Sequence, residues 1–169
     1  MPYATATPER KLPAALHEPT VWKQVRSRCW SGSGGNGDGT STAKLAHGIK
    51  NARIIGSPAH PWTDDEIRDR VISEHARAFN PPGVARQMAA VRGDGDRTAA
   101  LAGLKIPVVV LHGADDPLLP KVGGEATAAA IPGAELRIVP GMGHDLPPGL
   151  HDTFVEAIAA AAARAKVGA

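Results

Sequence analysis

Two stretches of the sequence place acidic residues or a histidine directly after apolar runs. The first, residues 106–120, reads IPVVVLHGADDPLLP, and its run VVVL predicts a strand that is buried on both faces. The second, residues 140–145, reads PGMGHD and follows another short predicted strand. Because open α/β folds keep their chemistry at the carboxyl ends of strands, we expect Asp115, Asp116 and His144 to lie at one edge of a sheet.

An aspartate and a histidine in this arrangement suit acid–base chemistry. Pro117 follows Asp116 and restricts the turn, so the carboxylate is expected to be held rigidly enough to orient an imidazole. His144 lies between Gly143 and an aspartate, and an imidazole can take up and release a proton near neutral pH. In the alternative interpretation, Asp115 and Asp116 only form a turn and His144 is a polar loop residue.

The elements expected to position these residues are helices followed by a β-α-β-α unit. Thr63 and Glu66 predict a capping box that starts a helix, and two shorter helices are expected near residues 84–91 and after Asp96. The second of these short helices is expected to end near Leu104. The helix near residues 84–91 is expected to turn Val84, Met88 and Val91 inward.

After the strand near Val108, the sequence predicts a helix over residues 123–130, a strand over 135–139 and a final helix over 150–166. The helical crossover between the two strands indicates that they are parallel. We therefore predict an α/β fold. The final helix is expected to face inward with Leu150, Phe154, Val155, Ile158 and Ala162.

The composition of the 169 residues narrows the classes of partner. Residues 1–53 carry eight Lys or Arg against three acidic residues, a net charge of +5. Aromatic residues do not alternate with these basic residues and no nucleic-acid motif is present, so nucleic acid is not an expected partner. The sequence has no apolar run near the roughly 18 residues that a membrane span needs. A single cysteine, Cys29, excludes an internal disulfide and is typical of a reducing compartment. We expect a cytoplasmic protein.

With the two motifs in view, the chain resembles the C-terminal part of an α/β-hydrolase-fold protein of the esterase, methylesterase and proline-iminopeptidase-like group. The resemblance is carried by HGADDPLLP, residues 112–120, followed by GMGHDLP, residues 141–147. These match the acid turn and the histidine turn of that family in type and order. The resemblance implies hydrolysis of an ester or similar acyl bond in a small-molecule substrate, with Asp116 as the triad acid and His144 as the triad base. Asp115 remains the alternative acid.

The resemblance also divides the chain into three regions. Residues 1–43 are a basic segment and a Gly/Ser-rich linker to which no fold is assigned. Residues 44–104 resemble a helical lid, since IGSPAHPW and the helices after it look like the end of that region in bacterial methylesterase-like proteins. Residues 105–169 resemble the C-terminal part of the α/β core. Trp62, in the lid-like region, is interpreted as a buried anchor for the next helix or as part of an acyl pocket.

The sequence departs from the family because it contains no G-x-S-x-G motif for the nucleophile. The nearest string, Gly39-Thr40-Ser41-Thr42-Ala43, lies in the glycine-rich linker with no buried strand before it, so Ser41 is a poor nucleophile candidate. No HGGG-like stretch for an oxyanion hole is present either. We therefore expect a truncated, rearranged or frame-shifted hydrolase that is inactive, or nearly so, by itself.

Two further interpretations are weighed against this one. His112, Asp115, Asp116, His144 and Asp145 are metal-ligating types, but none of them lies on a predicted helix, and we expect no metal and no other cofactor. A non-enzymatic interaction module is the main alternative to a hydrolase. It would pair, or self-associate, through the unpaired edge of the predicted sheet or through the lid face.

Overall fold

The computed structural model describes residues 42–78 and 80–165. The predicted segment and linker over residues 1–43, with Cys29 and Ser41, therefore lie almost entirely outside the described residues. The described helices are α1 (Thr42–Ile55), α2 (Asp64–Arg77), α3 (Pro81–Gly93), α4 (Thr98–Ala102), α5 (Lys121–Ala130) and α6 (His151–Arg164). The strands are β1 (Val109–Gly113) and β2 (Glu135–Val139), and a short 3-10 helix, Pro148–Leu150, precedes α6.

The two strands form a parallel pair in which Val109 lies opposite Glu135 and Gly113 lies opposite Val139. The parallel pairing predicted from the helical crossover is confirmed, and α5 provides that crossover by packing on both strands. At the closest approach of α5 to β1, a Cβ on Gly124 would lie 2.8 Å from the Cβ of His112. Helices around a parallel pair of strands are compatible with the predicted α/β class.

The helical part that precedes the strands begins with two helices in contact. Gly48 of α1 lies against Val71 of α2, where a Cβ on the glycine would approach the valine side chain to 2.5 Å. The capping box predicted for α2 is confirmed, because Thr63 Oγ1 accepts a hydrogen bond from the Glu66 N–H and the Glu66 carboxylate accepts one from the Thr63 N–H. Helix α2 then turns Ile67 and Val71 into the protein.

The buried apolar core is small and is concentrated near the strands and the turns after them. Its members in the described chain are Ile67, Val71, Ile131, Met142, Leu150 and Ala157. The predicted strand VVVL is only half-buried along most of its length, so the prediction of burial on both faces is wrong. No helix of the described part of the chain has the length and apolar character that crossing a membrane requires.

Two predicted inner faces are wrong in part. Of the face predicted for α6, Leu150 is buried and Phe154 is half-buried, but Val155, Ile158 and Ala162 are exposed. Val84 and Val91 of α3 are exposed as well. In α6, alanine and other apolar residues are frequent, so its sequence pattern marks a single inner face only weakly. A pattern also cannot tell whether another element covers the face that it marks.

Candidate active site

The structure brings Asp116 and His144 together at the carboxyl end of the strand pair. His144 Nδ1 lies 2.8 Å from Asp116 Oδ2, although the two residues are 28 positions apart in the chain. The Asp116 side chain is 5% exposed, whereas the His144 side chain is 35% exposed. A buried carboxylate therefore holds one ring nitrogen of a histidine whose ring remains accessible to solvent.

The turn after β1 fixes the position of Asp116. Its Oδ1 accepts hydrogen bonds from the backbone N–H groups of Leu118 and Leu119, each at 2.8 Å, so the other oxygen faces His144. His112 reinforces this turn, because its Nε2 donates a hydrogen bond to the carbonyl oxygen of Leu119 at 2.9 Å. The same Nε2 lies 3.8 Å from Asp116 Oδ2. The turn after β1 thus orients the carboxylate independently of its contact with His144.

Asp115 has a different set of contacts from Asp116. Its Oδ2 accepts a hydrogen bond from the Gly141 N–H at 2.7 Å, and its backbone N–H donates to the carbonyl oxygen of Met142 at 3.0 Å. Both bonds tie the acid turn to the backbone of residues 141–145, which we call the histidine turn. Of the two adjacent aspartates, Asp116 is the one that contacts the imidazole, and Asp115 holds the turn that carries it.

Glycines allow the histidine turn to approach its neighbours closely. A Cβ on Gly113, the last residue of β1, would collide with the carbonyl oxygen of Met142 and lie 2.6 Å from that of Gly143. A Cβ on Gly143 would collide with the carbonyl oxygen of Gly56 and lie 2.6 Å from that of Ile55. Because these neighbours are backbone atoms, a side chain at either position would have to displace the main chain.

Sequence reasoning missed a buried polar cluster beneath the histidine turn. Ser57 and Asp145 are both buried, and Ser57 Oγ donates a hydrogen bond to Asp145 Oδ1 at 2.5 Å. Gly143 N–H donates to Ser57 Oγ at 2.9 Å. In the sequence, Asp145 is a candidate only as a metal ligand, and Ser57 stands in the lid-like stretch IGSPAHPW. No local pattern marks either residue as part of this cluster.

Trp62 belongs to the same cluster. Its indole Nε1–H donates to Asp145 Oδ2 at 2.8 Å, and the guanidinium carbon of Arg70 lies 5.3 Å from its ring centroid. The residue is partly buried between α2 and the histidine turn. Of the two interpretations of Trp62, these contacts favour the anchor.

Among the described residues, the Asp116–His144 pair belongs to no group of potential metal ligands and lies outside the groove along α1. Within residues 42–78 and 80–165, no three His, Cys, Asp or Glu side chains are grouped so that they could hold a metal ion. An open groove of about 460 Å³ runs along α1 and is lined by Ala46, Ile49, Lys50, Arg53 and Ile54. Asp116 and His144 do not line this groove.

The sequence is similar to those of two methylesterases from Streptomyces. It is 30% identical over 124 residues to rhodomycin D methylesterase DauP of Streptomyces sp. (strain C5), and the alignment covers 72% of this chain and 41% of that protein. It is 28% identical over 123 residues to rhodomycin D methylesterase DnrP of Streptomyces peucetius, with 72% and 41% covered. The chain thus spans about two fifths of the length of these curated relatives.

No protein-family model matches the chain. The similarity to the two methylesterases supports a place among hydrolases of the esterase kind. The strand–helix–strand arrangement of β1, α5 and β2 is compatible with that relationship.

Proposed function

We propose that this chain provides the acid and the base of a serine ester hydrolase, with Asp116 as the acid and His144 as the base. The observation that carries the proposal is the 2.8 Å contact between His144 Nδ1 and the buried Asp116 carboxylate. The similarity to two methylesterases supports an ester as the substrate. A methyl ester of a small molecule is the substrate class that we propose.

The geometry favours one distribution of protons. With Nδ1–H donating to Asp116 Oδ2, the other ring nitrogen, Nε2, has a free lone pair. That nitrogen is able to accept the proton of a serine hydroxyl as the hydroxyl attacks the ester carbonyl. It then returns the proton to the departing alcohol. Asp116 stays ionised, holds the tautomer and stabilises the imidazolium formed between the two steps.

The serine has to come from a different stretch of polypeptide, because the 169 residues of this chain contain no G-x-S-x-G motif. We therefore expect the chain alone to hydrolyse p-nitrophenyl acetate no faster than a His144→Ala variant does. Robust turnover by the chain that disappears in His144→Ala would show that it carries its own nucleophile and would overturn this part of the proposal.

A complementation experiment tests the positive part of the proposal. The portion of the methylesterase DauP outside the aligned region would be co-expressed with this chain, and ester hydrolysis would be measured on the purified complex. We expect activity that falls at least about 10³-fold in His144→Ala and in Asp116→Ala, since a triad acts as a unit. His151→Ala is the matched control, because His151 is an exposed histidine at the start of α6. Activity that survives His144→Ala would contradict the assignment of the base.

A second candidate function is an interaction module, and one observation favours it. Within the described residues, β1 pairs only with β2, so its other edge is not paired with a strand, and Val155 and Ile158 on α6 are exposed. Unpaired strand edges and exposed apolar side chains promote association. Under this proposal the chain forms a discrete dimer in size-exclusion chromatography with light scattering. A monodisperse monomer across a hundredfold concentration range would exclude self-association of useful affinity.

A further inference from the structure

Asp145 directly follows His144, is buried, and makes contacts that the proposed reaction does not use. Its Oδ1 accepts a hydrogen bond from Ser57 Oγ at 2.5 Å, and its Oδ2 accepts one from Trp62 Nε1 at 2.8 Å. A carboxylate without partners would be costly to bury. Two donors from one loop therefore meet both oxygens of a single side chain, which fixes the orientation of that side chain.

Ser57 and the last residue of α1 also hold the backbone N–H groups of Gly143 and His144. Gly143 N–H donates to Ser57 Oγ at 2.9 Å, and His144 N–H donates to the carbonyl oxygen of Ile55 at 2.8 Å. The Ser57 hydroxyl therefore contacts the residues on both sides of His144, because it accepts a hydrogen bond from Gly143 and donates one to Asp145. The main-chain direction at His144 is set by residues more than 80 positions earlier in the chain.

Trp62 links this loop to α2. Arg70 lies over the indole ring at 5.3 Å and pairs through its Nε with Glu74 one turn later, at 2.8 Å. The Asp145 carboxylate therefore receives its second hydrogen bond from a ring that a neighbouring helix also contacts. Ser57, Trp62 and Asp145 form a connected set, which we call the Asp145 network.

We propose that the Asp145 network is the positioning element of His144 and directs its ring toward Asp116. The proposal rests on the proposed function only in treating His144 as the base. If the network merely stabilised the fold, its loss would lower stability without altering the His144–Asp116 hydrogen bond in the molecules that remain folded. If it positions the ring, that hydrogen bond weakens when the network is broken.

The test uses the full chain labelled with ¹⁵N and the variant Asp145→Asn. An asparagine has the same size but no charge, and it places an NH2 group where one of the two carboxylate oxygens accepts from Ser57 or Trp62, so at least one of these charge-assisted hydrogen bonds is lost. In the native protein we expect a downfield proton resonance for His144 Nδ1–H, and in the variant we expect it to be lost or shifted upfield. Amide hydrogen exchange at Gly143 and His144 should quicken about tenfold. Asp69→Asn, the same change at an exposed acid on α2, should leave both measurements unaltered.

An Asp145→Asn protein that is less stable, but keeps its His144 resonance and its slow exchange, would overturn the proposal. If Asp145→Asn does not fold, Trp62→Phe decides, because it removes one of the two donors and keeps most of the ring. We expect it to shift the same resonance and to quicken exchange at His144 less than Asp145→Asn does. An unchanged resonance in a folded Trp62→Phe protein would also overturn the proposal.

The two proposals fail in different experiments. Complemented ester hydrolysis that does not depend on His144 would reject the proposed function. Faster amide exchange in Asp145→Asn would still support the network as the structure that fixes the turn. Conversely, hydrolysis that requires His144, together with an unaltered resonance in Asp145→Asn, would reject the network and keep the proposed function.

Discussion

The histidine turn and the outer face of α6 differ sharply in how completely their residues are contacted. In the histidine turn, the backbone N–H groups of Gly141, Gly143 and His144 all donate hydrogen bonds to earlier parts of the chain. On α6, by contrast, Val155 and Ile158 are apolar side chains that remain exposed. The polar contacts around the candidate site are formed within this chain, whereas the described residues do not cover these apolar side chains of α6.

This difference separates two requirements of an active site. The geometry of an acid and a histidine depends on short-range contacts between turns, and the segments that make them, residues 55–62, 113–119 and 141–145, are all present. Apolar burial depends on area and usually needs more than one layer of elements. A chain can therefore hold a well-oriented Asp116–His144 pair while burying a small core. Substitutions in the core, on α6 and in the histidine turn test that separation.

The largest expected effect is on stability, and it comes from the comparison of a buried isoleucine with an exposed one. Ile131, at the end of α5, is 5% exposed, whereas Ile158 on α6 is 70% exposed. Ile131→Ala should lower the free energy of unfolding by about 2–4 kcal/mol, because it removes buried methyl groups and leaves a cavity. Ile158→Ala should change it by less than about 0.5 kcal/mol, as for other exposed positions. Urea denaturation monitored by circular dichroism measures both.

Equal losses for the two isoleucine variants would break the comparison, since Ile158 would then be covered in solution. Concentration dependence identifies the cover. If a second copy covers α6, the unfolding midpoint of the unmodified chain rises with protein concentration, and that of Ile158→Ala rises less.

A second prediction concerns the close approach at the histidine turn. Gly143→Ala places a methyl group against the carbonyl oxygens of Ile55 and Gly56, so we expect a loss of about 1–3 kcal/mol in unfolding free energy. Gly93→Ala is the matched control, because no atom lies within 4 Å of a Cβ at that position. The control should stabilise the protein slightly, by about 0.4–1 kcal/mol. A Gly143→Ala protein as stable as the control would mean that the two turns do not meet this closely.

The sequence predicts those parts of the protein whose cause is local. The capping box at Thr63 and Glu66 and the strand at Glu135–Val139 depend on a few adjacent residues, and both are present as predicted. The acid and histidine turns are predictable because an apolar run followed by Gly, Asp or His marks a strand end. Their meeting at 2.8 Å agrees with the parallel pairing.

What could not be predicted depends on contacts between distant segments. Nothing in the local pattern of Ser57 or Asp145 shows that a hydroxyl and a carboxylate 88 residues apart bury each other. The predicted inner face of α6 is partly wrong for a related reason. In a helix rich in alanine and other apolar residues, burial is decided by what packs against the helix, and the sequence of the helix does not contain that information.

The smallest expected effect is confined to the first turn of α2 and depends on pH. The backbone N–H of Thr63, and then its hydroxyl, hold the pKa of Glu66 below its ordinary value, since both donate to the carboxylate. A group whose pKa is lowered by folding stabilises the protein above its unfolded pKa. That contribution is lost as the pH falls through the lowered folded pKa, and so below about pH 4.3.

Glu66→Gln should therefore reduce the melting temperature slightly at pH 6 and progressively less below pH 4. Asp65→Asn, a neighbouring exposed acid, controls for the charge of the first turn. A Glu66→Gln deficit that persisted unchanged to pH 3 would show that the carboxylate charge does not contribute through this capping box.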